Sequence, residues 1–281
     1  MSFETIEFDL REDGIATLSL NRPHKLNAIT FQMEEEIHEV LDELETNLDC
    51  RILILKGNGD GFCSGIDIQE GLSLHVKRIA QGYEKFHYLN VPEVIKKKIY
   101  HQWYITRIVS KMRQISQPII AAISGPAAGG GFSMALASDF RILSKDAKLI
   151  DSSANIGLTG ADMGGSYFLP RLIGLSRASE ILYTGREVPA EEAKEIGLAF
   201  KIVEKEQLYA EALKLAQDLL TKSPLGLRMT KRALNITLDS PSLDTIIQLE
   251  NGSIVLAFES KDFNEASSAF LEKRKPRYPL K

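Results

Sequence analysis

Cysteine is scarce in this chain. Cys50 and Cys63 are the only two among 281 residues, which excludes a disulfide-built scaffold and suits a reducing compartment. No uninterrupted apolar run approaches the ~18 residues that a membrane span needs. An excess of either charge is missing as well. With 34 basic and 38 acidic side chains the net charge is −4, so no global field favours nucleic acid or an anionic membrane. No charged-then-apolar leader opens the sequence, and the expected location is therefore cytoplasmic. Low-complexity segments, countable repeats and metal-ligand clusters are absent too. What the chain has is apolar content: 44% hydrophobic residues over this length can bury a large core, as one big domain or one domain with an appendage.

The stretch from Ile119 to Ala137 organises the rest. It reads as a buried strand, a tight turn, the glycines Gly129, Gly130 and Gly131, and a helix of small residues. Glycine lets backbone turn sharply and lets a ligand approach it. The first turn of the helix carries unpaired N–H groups and the positive end of a dipole, which makes an anion or oxyanion site of backbone origin. The alternative is a packing device that lays the helix close on the strand. Spacing alone does not choose between them.

Elsewhere, Gly14 to Leu20 alternates as a strand does. The loop Asn21 to Asn27 follows, with Arg22 and Lys25 available to a ligand. Thr30 caps a helix whose apolar face is Met33, Ile37, Val40, Leu41 and Leu44. Glu34, Glu35 and Glu36 read as a solvated helix face. Ile52 to Leu55 is a strand that runs into a second glycine-rich turn, Gly57 to Asp67. Leu72 to Met112 is charged, aromatic and helical in tendency, broken at Pro92, and its aromatics read mainly as packing. Strands at Phe140–Leu143 and Ala147–Ile150 lead into a third glycine-rich loop, Asp151 to Ser166. Beyond a last strand at Phe200–Val203 the pattern is helical, over Leu208–Leu220, Leu227–Leu238 and Leu243–Phe258. The reading divides the chain at residues 1–203 and 204–281. The basic end around Lys273 suits a localisation signal, solubility or a phosphate contact.

In order, Leu20-Asn21-Arg22-Pro23, Asn27-Ala28, Phe62-Cys63-Ser64-Gly65-Ile66-Asp67, Ser124-Gly125, Gly129-Gly130-Gly131, Ser138-Asp139, Gly185 to Gly197 and Ala269 to Arg274 resemble the enoyl-CoA hydratase/isomerase, or crotonase, family over nearly the whole chain. The resemblance implies an α/β fold, a spiral of ββα units with a C-terminal helical region that assembles trimers, often paired into hexamers. It implies acyl-CoA thioesters as substrates, with coenzyme A part of the substrate and no separate cofactor. The thioester oxygen would be held, as it becomes an enolate, by the N–H groups of Ile66 and Gly130. Arg22 and Lys25 would lie near the CoA nucleotide. Ser64, Asp67 and Gly129 fall in the substrate-binding turns, although Asp67 and Asp139 also suit purely structural roles. Phe258, Phe270 and Lys273 match positions that complete the CoA site, often from a neighbouring subunit.

The departures carry the functional argument. Hydratases of this family add water with two glutamates, and those positions here are Ser133 and Ser153, neither of which is a carboxylate base at neutral pH. Asp162 is the candidate instead. Its segment resembles that of dienoyl-CoA isomerases, and of 4-chlorobenzoyl-CoA dehalogenases with their aspartate nucleophile, in a loop one residue longer. Met163, Leu158 and Phe168 are expected to shield it. The structural alternative is that Asp162 caps the next helix. Asp151 ranks below it, as an exposed carboxylate. His101 and Tyr104 are further candidates for the pocket wall. The expected function is enolate-stabilising acyl-CoA chemistry, as a double-bond isomerase or atypical hydratase. The alternatives are an aryl-CoA enzyme with Asp162 as nucleophile and a non-catalytic acyl-CoA binder.

Overall fold

Every second residue of the central strands faces one side of a sheet, and the two sides bury different partners. The computed structural model describes residues 3–71, 82–240 and 242–278. Six strands form the main sheet: β1 (Ile6–Leu10), β2 (Ile15–Leu20), β3 (Ile52–Gly57), β4 (Ile119–Ile123), β6 (Phe140–Ser144) and β9 (Lys201–Val203), in the order β1-β2-β3-β4-β6-β9. Only the β1–β2 pair is antiparallel; from β2 onward every pairing is parallel. A smaller sheet joins β5 (Pro126–Ala128), β7 (Lys148–Ile150) and β8 (Glu187–Pro189).

Parallel strands need coverage on both faces. Leu18, Leu20, Leu53, Leu55, Ile119 and Ile123 turn to the main core. There they meet Met33, Ile37, Leu41 and Leu44 of α1 (Phe31–Thr46) and Ile105, Ile108 and Met112 of α2 (Glu93–Gln114). The alternate residues Ile15, Ile52, Ile54, Ile120 and Ile142 turn the other way, onto Leu208, Ala212 and Ala216 of α7 (Leu208–Leu220). Along the chain between α2 and α7 come α3 (Gly130–Ala137), α4 (Gly165–Ile173), α5 (Leu175–Thr184) and α6 (Ala190–Glu195). After α7 come α8 (Pro224–Thr237), α9 (Leu243–Phe258) and α10 (Lys261–Leu271). Lys231 of α8 is buried and reaches the Met112 and Gln117 carbonyls and Asp139, which ties the C-terminal helices to the core.

Most expected elements are present. Thr30 caps α1 by accepting the Met33 N–H at 3.2 Å, and Pro92 is the N-cap of α2. Tyr83, Phe86, Tyr100 and Tyr104 pack with Phe31, as read. Of the insert expected over Leu72 to Met112, residues 72–81 lie outside the described residues. Four elements fall outside the sequence reading. Strand β1, Ile-Glu-Phe-Asp-Leu, alternates strictly but is only five residues long, β5 hides inside the glycine turn, β8 is three residues beside Pro189, and α10 is announced only by Ser260, whose Oγ accepts the Phe263 N–H. Cys50 and Cys63 are free and buried, and burial pushes both thiols up to about 12.

The solvated reading of Glu34 to Glu36 is overturned. Glu34 and Glu36 are both buried. Glu34 meets His101 of α2 at 3.0 Å. Glu36 accepts the Glu4 and Thr5 N–H groups at 2.7 and 2.9 Å, the Thr5 hydroxyl and the Gln32 amide. It thereby clamps the segment leading into β1. Burial pushes its carboxyl up, but the hydrogen bonds from Glu4, Thr5 and Gln32 outweigh burial and hold the group below its ordinary value of 4.5. Glu36→Ala is expected to lower the unfolding free energy by about 2–4 kcal/mol near pH 7. Because the folded-state value is depressed, that contribution exists above the ordinary glutamate range and disappears as the pH falls through the folded value. Urea titrations of both proteins from neutral pH to about pH 3 should therefore converge at the acid end.

Candidate functional site

The glycine-rich turns after β3 and β4 interlock. Phe62 and Cys63 both donate to the Pro126 carbonyl at 3.1 Å, and Ala128 N–H donates back to the Cys63 carbonyl at 2.8 Å. The contact is tight at one glycine and leaves no room for a side chain at another. A Cβ on Gly65, whose φ is +95°, would stand 3.1 Å from the Ala128 oxygen and 3.6 Å from the Gly130 nitrogen. A Cβ on Gly131 would stand 2.4 Å from the Cys63 oxygen. Packing is thus one use of the glycines, and it brings the segments of Ile66 and Gly130 together. Ile29 N–H bonds the Gly65 carbonyl and Asp67 N–H bonds the Ile29 carbonyl, which fixes the backbone on both sides of Ile66. Among the described residues, neither the Ile66 nor the Gly130 N–H donates to a protein acceptor. Gly130 opens α3, so its free N–H sits at the positive end of that helix.

Beside this turn a narrow cavity is lined by Gly129, Phe132, Ser133, Asp151, Ser153, Asp162 and Gly165. Ser133, one turn into α3, is buried, as is Ser153. Asp162 is half-buried. Its Oδ1 accepts the Met163 N–H at 2.7 Å and the Gln102 side-chain amide at 2.5 Å. It does not cap α4: the cap is Gly164, which makes no side-chain bond. Met163 is buried and adopts a left-handed φ of 42°, with its sulfur 3.4 Å from where a Gly130 Cβ would stand. That conformation costs a bulky residue about 1–2 kcal/mol, and it seats the thioether over the Gly130 backbone. Leu158, expected to shield Asp162, is 65% exposed and gives no cover.

Asp151 corrects the sequence reading most clearly. It is 5% exposed rather than solvent-facing. Its Oδ1 accepts the Ser153 N–H at 3.2 Å, and a Cβ on Gly160 would stand 2.9 Å from its Oδ2. Burial pushes its carboxyl above the ordinary aspartate value of 3.8; the Ser153 bonds oppose this, and the nearby Asp162 charge adds to it. Its burial follows from β7 entering the turn, a pairing that linear spacing does not reveal.

The remaining candidates divide. Lys25 is exposed and Ser64 half-exposed, with its hydroxyl donating to the Lys25 carbonyl. Arg22 is not available as expected. Its guanidinium bonds the Ala28 carbonyl at 2.6 Å and Asp67 at 3.3 Å, with 16% of the side chain exposed. Asp67 also accepts the Glu70 N–H, so both residues brace the Ile66 turn. His101 and Tyr104 point away from the cavity, His101 to Glu34 and Tyr104 edge-on to His38. Asp139 is structural, bound by Arg113, Lys231 and the Ile119 N–H. Phe258, Phe270 and Lys273 lie on and after the C-terminal helices; Phe258 and Phe270 are 52% and 83% exposed, and none of the three lines the cavity. A larger groove between α8 and β6 contains Lys231, Arg141 and Asp139. Its charges are already engaged with each other and with carbonyls, so it offers chemistry less than it offers support.

The enoyl-CoA hydratase/isomerase family model matches residues 10–280. A probable enoyl-CoA hydratase of Mycobacterium bovis is 36% identical over 264 residues, 93% of this chain and 88% of that protein. The 1,2-epoxyphenylacetyl-CoA isomerase of Escherichia coli is 33% identical over 270 residues, 95% of each. In three dimensions the chain is similar to a putative enoyl-CoA hydratase of Streptomyces coelicolor. The TM-score is 0.86 at 32% identity, over 100% of this chain and 96% of that one.

The Asp151 environment has a measurable cost. A carboxyl whose folded-state value is raised penalises folding once the pH exceeds its unfolded value, because only the unfolded chain ionises freely. Asp151→Asn keeps the acceptor for Ser153 and removes the ionisable group. The variant is expected to be more stable than the wild type at pH 7, with the gap closing at about pH 3; urea denaturation at the two pH values reads it.

Proposed function

The chain belongs to the enoyl-CoA hydratase/isomerase family, enzymes that act on acyl-CoA thioesters, and from that premise we propose that it is a double-bond isomerase working through Asp162. The observation that carries this reading is the content of the cavity. Both positions at which the family's hydratases carry glutamate are serines, Ser133 and Ser153, while the Asp162 carboxyl lines the same cavity beside the Gly129–Gly130 turn. Moving a double bond requires one group that can take a proton next to the carbonyl and a site that holds the charge this creates.

In the proposed reaction the Asp162 carboxylate removes a proton from the carbon next to the thioester. The electron pair delocalises onto the thioester oxygen, and the free N–H groups of Ile66 and Gly130 receive that charge. Donors fixed before the reaction need no reorganisation, and each is worth roughly 3–4 kcal/mol in well-studied enzymes. The proton is then returned two carbons further along. Gln102 and the Met163 N–H orient Asp162 for the task. Coenzyme A arrives as part of the substrate, with exposed Lys25 near its nucleotide. Phe258, Phe270 and Lys273, outside their own chain's cavity, would complete the site of a neighbouring copy in a trimer.

Hydration is the second reading, favoured by relatives such as the crotonyl-CoA hydratase of Syntrophomonas wolfei, 33% identical over 279 residues. One assay separates the two. With 2-enoyl- and 3-enoyl-CoA thioesters in D2O, the isomerase reading predicts exchange at C2 and interconversion of the two alkenes. Hydration yields 3-hydroxyacyl-CoA. Asp162→Asn is expected to lower both exchange and interconversion by at least about 100-fold. Full activity in that variant would remove the mechanism.

A further inference from the structure

Strand β3 runs into the Ile66 turn at one end and starts from a basic cleft at the other. Arg51, the residue before β3, lines this cleft of about 1220 Å3. Arg228 of α8, Lys261 at the start of α10 and Arg277 beyond it line the same space, against two carboxylates, Asp262 and Glu265. Both carboxylates are already engaged. Asp262 accepts the Ser223 hydroxyl at 2.8 Å and the Leu225 N–H at 3.0 Å, in the first turn of α8. Glu265 is bound by Arg274 and by the Arg277 N–H, which hold its carboxyl down at about 2. Among the described residues none of the four cations forms an ion pair. Arg51 is 7% exposed. It bonds only carbonyl oxygens, those of Leu220, Lys222 and Tyr278, and its Nε–H has no partner. Burial works against its charge; Asp262 offsets part of this, and the neighbouring Arg228 charge adds to it. Arg228 bonds the Leu48 carbonyl at 2.8 Å, which leaves most of its fork of donors open. A buried cation without a carboxylate is costly, and a second guanidinium beside it raises the cost. A dianion between the two would relieve both, and guanidinium forks suit phosphate oxygens. The Tyr278 ring borders the same cleft, 5.9 Å from the Arg51 guanidinium carbon, and offers a flat face.

We propose that this cleft binds a diphosphate-bearing anion, with its phosphates on Arg51, Arg228 and Lys261 and, where the anion is a nucleoside diphosphate, its base against Tyr278. The site is separate from the acyl-CoA cavity and independent of the isomerase reading. The bound anion would tie the start of β3 to α8 and α10, the elements that carry these three cations. A ligand that binds only the folded chain stabilises it by mass action, so occupancy would strengthen the attachment of the C-terminal helices to the sheet.

The test is calorimetric titration of the full chain with inorganic pyrophosphate and with ADP, without divalent cations and in about 0.15 M NaCl, which screens loose surface binding. Saturable binding with a Kd below about 1 mM is expected for both probes. Arg228→Gln should weaken pyrophosphate binding at least about tenfold, the size of a lost charge-assisted contact. Lys25→Gln, at the position expected near the CoA nucleotide, should leave it within about twofold. The melting temperature should rise with pyrophosphate in the wild type and stay flat in Arg228→Gln. ADP binding at least about fivefold tighter than pyrophosphate, with the gain lost in Tyr278→Leu, assigns a nucleotide to the site. Equal affinities assign the diphosphate group alone, and either result upholds the proposal. Absence of saturable pyrophosphate binding overturns it, as does binding that Lys25→Gln weakens and Arg228→Gln does not. Lys261 is exposed, so Lys261→Gln carries the same comparison should Arg228→Gln fail to fold.

Discussion

The crossing of two backbone segments, Phe62–Gly65 and Pro126–Gly131, is the constraint on which the rest of the molecule depends. Three main-chain hydrogen bonds join them, Gly131 allows a separation that a Cβ would prevent, and Gly65 supplies the positive φ of the turn. Each segment is the continuation of a parallel strand, β3 or β4, and those strands lie side by side in the sheet. The sheet sets the spacing, and the turns convert it into two free amides on neighbouring segments. Arg22 and Asp67 brace one side of the crossing, while β7 and the Gly129–Ile150 bond brace the other. This is rigid support of the kind that transition-state electrostatics demands, because a donor that must reorganise gives back what it gains.

Around that frame the chain accepts local penalties. Met163 holds a left-handed backbone, and Asp151 is buried with little to stabilise its charge. Neither serves folding by itself. Both lie within the loop that closes the cavity, which is where strain and unfavourable burial tend to be retained for chemistry. The ample polar satisfaction found elsewhere, as at Glu36, Asp139 and Lys231, shows the contrast.

Much of this was readable in linear form. Apolar periodicity marks α1 and α7, glycine clusters mark the turns, and the ordered motifs identify the fold and the acyl-CoA chemistry. What escaped was decided by contacts between distant segments. Glu34 and Glu36 look like the acidic start of an exposed helix until His101 and the residues before β1 close over them. Arg22 looks like a ligand-binding cation until Asp67, 45 positions away, takes its guanidinium. Asp151 looks exposed until β7 joins β5. Burial of a charged residue depends on its partner, and a local pattern carries no record of partners.

The position of α7 has a consequence for how the protein comes to exist. One face of the main sheet, with Ile15, Ile52, Ile54, Ile120 and Ile142, is covered by Leu208, Ala212 and Ala216. On a ribosome, more than two hundred residues emerge before that cover does. Until then a broad aliphatic surface stands open on a nascent sheet whose pairings are mostly non-local, a state prone to sticking to its neighbours. Translation rate and chaperone capture over this interval, more than the stability of the finished fold, would then govern how much of the newly made protein reaches its working form.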